Sequence, residues 1–140
     1  MAVIVNDKGF AADDFAGSRI PADALPANDL AEAAVEIGPD MAPEALAGPL
    51  LTASMIVIGF PSFADGRGFT LARLLRLRGY AGRLRASGHV LADQYAMARR
   101  AGFDEVEISD ALAARQPEAD WLARADWRAF DYRKRLSGAA

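Results

Sequence analysis

Met55-Ile56-Val57-Ile58 is an unbroken apolar run, and Gly59-Phe60-Pro61-Ser62-Phe63-Ala64-Asp65-Gly66-Arg67-Gly68 follows it. Such a run, without polar alternation, suits a strand covered on both faces. Phe69 to Arg78 then has the composition of a helix, and Gly79 to Gly82 breaks it. Leu84 to Ser87 reads as a second strand, Val90 to Arg100 as a second helix, and Glu105 to Ile108 as a third strand. Strand, helix, strand, helix, strand over residues 55–108 is the pattern of a parallel sheet with crossover helices. The expected fold class is therefore α/β, either a flavodoxin-like three-layer sheet or half of a TIM-type barrel. A half-barrel would leave an open apolar edge and favour a homodimer.

The flanks are less regular. Val3-Ile4-Val5 is β-prone and closes on the turn-like Asn6-Asp7-Lys8-Gly9. Asp13 to Asn28 carries acidic and small residues with Pro21 and Pro26 and reads as a loop, so residues 1–34 are expected to be loosely ordered. Val35-Glu36-Ile37 is a candidate strand before Gly38-Pro39, and Asp40 is placed to cap a short helix with Pro43 in its first turn. After the third strand, Ser109 or Asp110 can cap a helix to Arg115, and Pro117 to Arg124 forms another turn or two. Trp121, Trp127, Phe130 and Tyr132 are expected to complete a core, and Arg133-Lys134-Arg135 to fray.

The chain of 140 residues suits a single domain. It has no cysteine, which excludes disulfides, thiolate metal sites and cysteine nucleophiles, and one histidine makes an all-protein zinc site unexpected. No signal-peptide cassette and no apolar run of bilayer-spanning length is present, so no membrane association and a cytoplasmic location are expected. The net charge of −3 hides an asymmetry. Residues 1–60 hold two basic and nine acidic side chains, whereas Gly66 to Arg100 hold eight arginines against one aspartate. An arginine-rich block of that kind attracts an anion or an acidic partner, although any single arginine more often decorates a solvated helix face. No nucleic-acid-binding module is visible in an acidic chain, and none is expected.

In open α/β sheets, ligands sit beyond the carboxyl ends of the strands. The loop Asp65-Gly66-Arg67-Gly68 opens a helix there, and its backbone N–H groups, Thr70 and the Arg67 guanidinium can hold an anion. It is neither a Walker A loop nor a GxGxxG fingerprint. The competing reading is a turn in which Asp65 caps the helix and Arg67 pairs with a nearby carboxylate. Arg85 within a strand is costly unless paired, so that strand borders a polar crevice or lies at an edge. His89, the only imidazole, follows the second strand, with Asp93 and Gln94 one turn on. No Ser–His–Asp set and no paired glycosidase carboxylates are legible, so no catalytic residue is assigned.

The run Gly59-Phe60-Pro61-Ser62-Phe63-Ala64-Asp65-Gly66-Arg67-Gly68-Phe69, then Ala72-Arg73-Leu74-Leu75-Arg76 and Gly79-Tyr80, carries a family pattern. It continues in Leu84-Arg85-Ala86, Gly88, Val90-Leu91, Asp93-Gln94 and Gly102-Phe103-Asp104. This resembles an uncharacterised proteobacterial family labelled an oxidoreductase of sulfite reduction, encoded beside assimilatory sulfite reductase. The resemblance implies an accessory role in sulfate assimilation, docking on the reductase or its electron donor. The alternative is a binder of a small oxyanion (sulfite, sulfate or a nucleotide sulfate) with Asp65, Arg67, Arg85 and Gln94 at its mouth. Members of that family usually carry Asp where this chain has His89, which argues against His89 as a required catalyst. Nothing in the chain resembles a flavin, nicotinamide or siroheme site, so the cofactor is unknown and an oxidoreductase here would borrow its redox centre.

Overall fold

A computed structural model describes residues 2–24 and 30–130. Seven strands form one sheet: β1 (Ala2–Asn6), β2 (Gly9–Ala11), β3 (Ser18–Pro21), β4 (Ala33–Ile37), β5 (Met55–Phe60), β6 (Arg83–Gly88) and β7 (Glu105–Ser109). Their order across the sheet is β2-β1-β7-β6-β5-β4-β3. Strands β3 to β7 run parallel, each beside its neighbour in sequence, while β1 is antiparallel to both β7 and β2. The fold is thus α/β, and the core strands fall where the apolar runs place them.

Four helices follow β5, β6 and β7: α1 (Arg67–Leu77), α2 (Tyr95–Ala101), α3 (Asp110–Arg115) and α4 (Glu118–Leu122). Because the parallel order never reverses, there is no switch point, and the crossovers all fall on one side. The side chains show it. Leu71, Ala72 and Leu75 of α1, Tyr95, Ala98 and Ala101 of α2, Leu112 and Trp121 pack with Val35, Ile37, Ile56, Ile58, Leu84, Ala86, Val106 and Ile108 in one core. The opposite sheet face holds a second, smaller cluster of Ala34, Met55 and Val57. Among the described residues, its other apolar cover is Phe15, from the strap of residues 12–17 between β2 and β3.

That strap forces the sheet to curl. Strands β2 and β3 lie at opposite edges, six strand spacings or roughly 29 Å apart along a flat sheet. The seven residue steps from Ala11 to Ser18 reach at most about 25 Å when fully extended. A chord that short spans the edges only if the face it crosses is concave. Arg19 of β3 confirms this by bonding Glu107 of β7 at 2.8 Å, although three strands lie between them. The winding is that of half a β/α barrel, helices outside and strap across the hollow.

Several expectations need correction. Residues 13–24 are not all loop: β3 is a parallel edge strand, unreadable because Ser18-Arg19-Ile20-Pro21 is polar and ends on proline. Leu25 to Asn28 lie outside the described residues, as do Tyr132 and Arg133-Lys134-Arg135. The short helix expected after Asp40 is two 3-10 turns, Pro43–Ala45 and Gly48–Thr52, and Ala42 rather than Asp40 precedes the first. Trp121 is buried as expected, but Trp127 is only half-buried. The Phe10 N–H on the outer edge of β2 is capped by the Glu118 carboxylate at 2.8 Å, which shields that edge from another strand. Gly9, at φ 109°, makes this approach feasible, since a Cβ there would sit 2.3 Å from Glu118 Oε2.

Candidate docking surface

The residues expected to line a strand-end site do not gather around one opening. Asp65 and Arg67 are occupied with each other. Arg67 Nη2 donates to Asp65 Oδ2 at 2.7 Å, Nε to Oδ1 at 3.0 Å, and the Arg67 backbone N–H to Oδ1 at 3.1 Å. The Arg67 guanidinium beside it lowers the Asp65 carboxyl below its usual range. Gly66 precedes the helix, and Gly68 is a packing residue whose added Cβ would meet the Phe60 ring at 2.6 Å. Thr70 and Arg67 line a mostly apolar cavity of about 360 Å³ with Met41, Pro43 and Leu71. The Nδ1 of His89 lies 3.3 Å from the Phe60 carbonyl, and its ring stands edge-on to Phe63. Gln94 ties two loops together, accepting from the Leu91 N–H and donating to the Phe63 carbonyl. Asp93 pairs with Arg124 in the open.

Arg85 lies elsewhere, on the concave face under the strap. It is fully buried. Its Nε donates to Glu105 at 2.5 Å, Nη1 to Glu107 and Asp13 at 3.0 Å each, and Nη2 to Asp13 at 2.9 Å. Arg83 binds Glu105 and Asp14, and Arg19 binds Glu36 and Glu107. The strand with Arg85 is therefore central, and five carboxylates answer three guanidiniums. Among the described residues no buried side-chain N or O lacks a partner. An incoming anion would have to displace Asp13, which already grips Arg85 with both oxygens.

This strap contact carries a pH signature. The Arg85 hydrogen bond, opposed by partial burial, brings the Asp13 carboxyl down to about 2. A depressed carboxyl contributes stability that is complete above its unfolded value near 3.8 and is lost as pH falls through about 2. Hydrogen exchange at residues 12–17 is expected to accelerate in that window. Asp13→Asn should show fast exchange already at neutral pH, and no change in wild type between pH 4 and 2 would contradict the strap assignment.

The exposed cationic surface is on the outside, between α1 and α2. Three adjoining cavities of about 380, 420 and 460 Å³ share walls there. The first two share Arg73, Arg100 and Ala101, and the last two share Arg76, Arg99, Gly102 and Trp127, so they form one trough. Its floor is fixed by arginines that are already committed. Arg76 donates to the Gly102, Tyr80 and Gly82 carbonyls and to Asp104, pinning α1 to the end of α2. Gly102, left-handed at φ 119°, closes α2, and a Cβ there would sit 2.6 Å from Arg76 Cγ. Arg99 binds Asp7 and the Phe103 carbonyl, and Asp7 also accepts from Trp127 Nε1 at 3.3 Å.

The rim is different. Arg73 is exposed and makes no ion pair among the described residues. Arg128 is exposed and lies over the Trp127 ring at 4.4 Å, with Arg99 over the same ring at 4.8 Å. Arg100 donates to the Trp127 carbonyl. Leu77 and Met97, 76% and 52% exposed, stand on α1 and α2 at the same surface. Among the described residues, no carboxylate lines the two stretches nearest Arg73. The arginine surplus of Gly66 to Arg100 pointed to this surface, but Trp127, Arg128 and the two apolar residues carried no signal of their own in the sequence.

These features define a curled α/β half-barrel with a filled hollow and a cationic trough on its helical side. Within that class, the chain belongs to a family described as bacterial protein of unknown function (DUF934), which matches residues 34–135. The match takes in β5 to β7, all four helices and the trough, while Asp13 and the strap precede it. Neither the curated proteins nor the solved structures give a match.

Proposed function

We propose that the protein is an accessory of assimilatory sulfite reduction that docks on the reductase or its electron donor through the α1–α2 trough. The pathway rests on the resemblance carried by Gly59 to Asp104. Docking rests on one observation: the rim couples arginines that no described carboxylate pairs, Arg73 and Arg128, with exposed Leu77 and Met97. Surface arginines alone are ordinary, but apolar side chains beside them add an area worth removing from water, as at protein interfaces. The reading as a small-oxyanion site has less to rest on, because the Arg67 and Arg85 guanidiniums are held by carboxylates of the same chain.

The test is retention of sulfite reductase or its electron donor by tagged protein at low ionic strength. Wild type is expected to retain one of them, to release it as salt rises, and to lose it on Arg73→Glu. Retention of neither by wild type at low salt would count against the proposal.

A further inference from the structure

We infer that the cavity between α1 and the turn after β4 binds a small apolar amino acid, held as its zwitterion. The cavity holds about 360 Å³, with residues 39–43 on one side and Arg67, Thr70 and Leu71 of α1 on the other. That volume falls at the lower end of the roughly 300–1,000 Å³ usual for small-molecule sites. It lies beyond the carboxyl end of β4, the end of the sheet at which α/β folds take their ligands. The site is independent of the docking role just proposed.

Arg67 and Asp40 bring opposite charges to this one cavity without pairing with each other. Asp65 takes Arg67 Nε and Nη2, which fixes the guanidinium and leaves Nη1 without a described acceptor. Asp40 makes no hydrogen bond or ion pair among the described residues. Its carboxylate lies back over Gly38, where an added Cβ would come within 2.7 Å of Oδ1. Asp65 above all, with Asp40 at longer range, raises the Arg67 pKa above its ordinary value, so Asp40 stands within the field of that guanidinium. The wall between them is apolar: Leu71 is buried, and Met41 is half-buried against the core. It is also preformed. Arg78, just past α1, donates to the Pro43 and Leu46 carbonyls, and Pro39 and Pro43 stiffen the turn.

Three features together choose the occupant. Its carboxylate would meet Arg67 Nη1 and the Thr70 hydroxyl, its ammonium Asp40, and an aliphatic or thioether side chain would cover Met41 and Leu71. A free oxyanion or an apolar acid satisfies Arg67 but is repelled by Asp40, and a simple amine meets the reverse. Glycine would leave the apolar wall in water.

The experiment is calorimetric titration of the full chain with L-leucine and L-methionine. Glycine, L-leucinamide and 4-methylpentanoate, which lack the side chain, the carboxylate and the ammonium group respectively, are titrated beside them. Leucine or methionine is expected to bind and to raise the melting temperature as its concentration rises. Each truncated analogue should bind about tenfold more weakly or worse. Asp40→Asn and Arg67→Gln, both at exposed positions, should each weaken binding to a similar degree with the circular dichroism unchanged. Arg124→Ala, whose described ion-pair partner is Asp93, should bind like wild type. If Arg67→Gln fails to fold through the loss of its Asp65 contact, leucinamide against leucine on wild type decides the role of the carboxylate. No binding of either amino acid at millimolar concentration, equal binding of 4-methylpentanoate or leucinamide, or full affinity in Asp40→Asn would overturn the inference.

Discussion

Arg85→Ala is expected to cost about 3–5 kcal/mol of folding stability, the range for breaking a buried ion pair from one side. Glu105, 6% exposed, would keep Arg83 but lose the shortest of its bonds, and Asp13 would lose both of its bonds to Arg85, leaving Asp14 and Phe15 to hold the strap. Against a total stability of about 5–15 kcal/mol, that loss brings the protein close to unfolding at ambient temperature. Denaturant titration measures it. Arg85→Lys should recover only part of the loss, because an ammonium cannot span Asp13, Glu105 and Glu107 as a planar fork does. Arg85→Leu combined with Glu105→Leu should cost less than Arg85→Ala alone, since it removes the uncompensated charge together with its cause. Unchanged unfolding midpoints for Arg85→Ala would remove the network from any account of this fold.

Asp7→Ala is the second large effect, and it couples stability to the trough. The Asp7 carboxylate accepts from the Tyr95 hydroxyl at 2.5 Å, from Arg99 Nε and Nη2 at 3.2 and 3.1 Å, and from Trp127 Nε1 at 3.3 Å. Burial alone would raise its pKa, but the Tyr95 and Arg99 bonds more than reverse this and lower it. Tyr95 is fully buried, so truncation would strand its hydroxyl at a cost of about 1–3 kcal/mol. Arg99 would lose its closer counterion and keep Asp104 at 3.8 Å. We expect a fall in the denaturant midpoint and a parallel loss of partner affinity. Tyr95→Phe in the Asp7→Ala background should add less than it costs alone, because the hydroxyl has then already lost its acceptor. Full additivity of the two would show that the hydrogen bond contributes nothing.

Strand β5 was legible because it is a compact apolar run closed by turn residues. Met55 to Ile58 has no alternation, and it lies between β4 and β6 with both faces covered. Arg85 announced a problem in the sequence, a cation in a strand, and the structure answers it with Asp13, which is 72 residues away. No local pattern could have named that partner. Strand β3 was missed for a related reason: its place is set by pairing with Ala33 to Glu36, while its own residues have weak strand preference. At the docking surface, the density of arginines was legible but their commitments were not. Arg76, Arg85 and Arg99 are consumed inside the protein, and Arg73, three residues before Arg76 on α1, is not. Only the three-dimensional arrangement separates structural guanidiniums from available ones.

The seating of β1 beside β7 has a consequence for how the chain acquires its shape. Val5 lies opposite Val106, about a hundred residues later, so the amino-terminal hairpin has no sheet to join until β7 has left the ribosome. Contacts closing loops of that size are slow to form. Meanwhile the strap cannot be drawn tight, and Arg85 and Glu105 stay wet. Nascent chains should therefore complete the helical layer first and seal the hollow last.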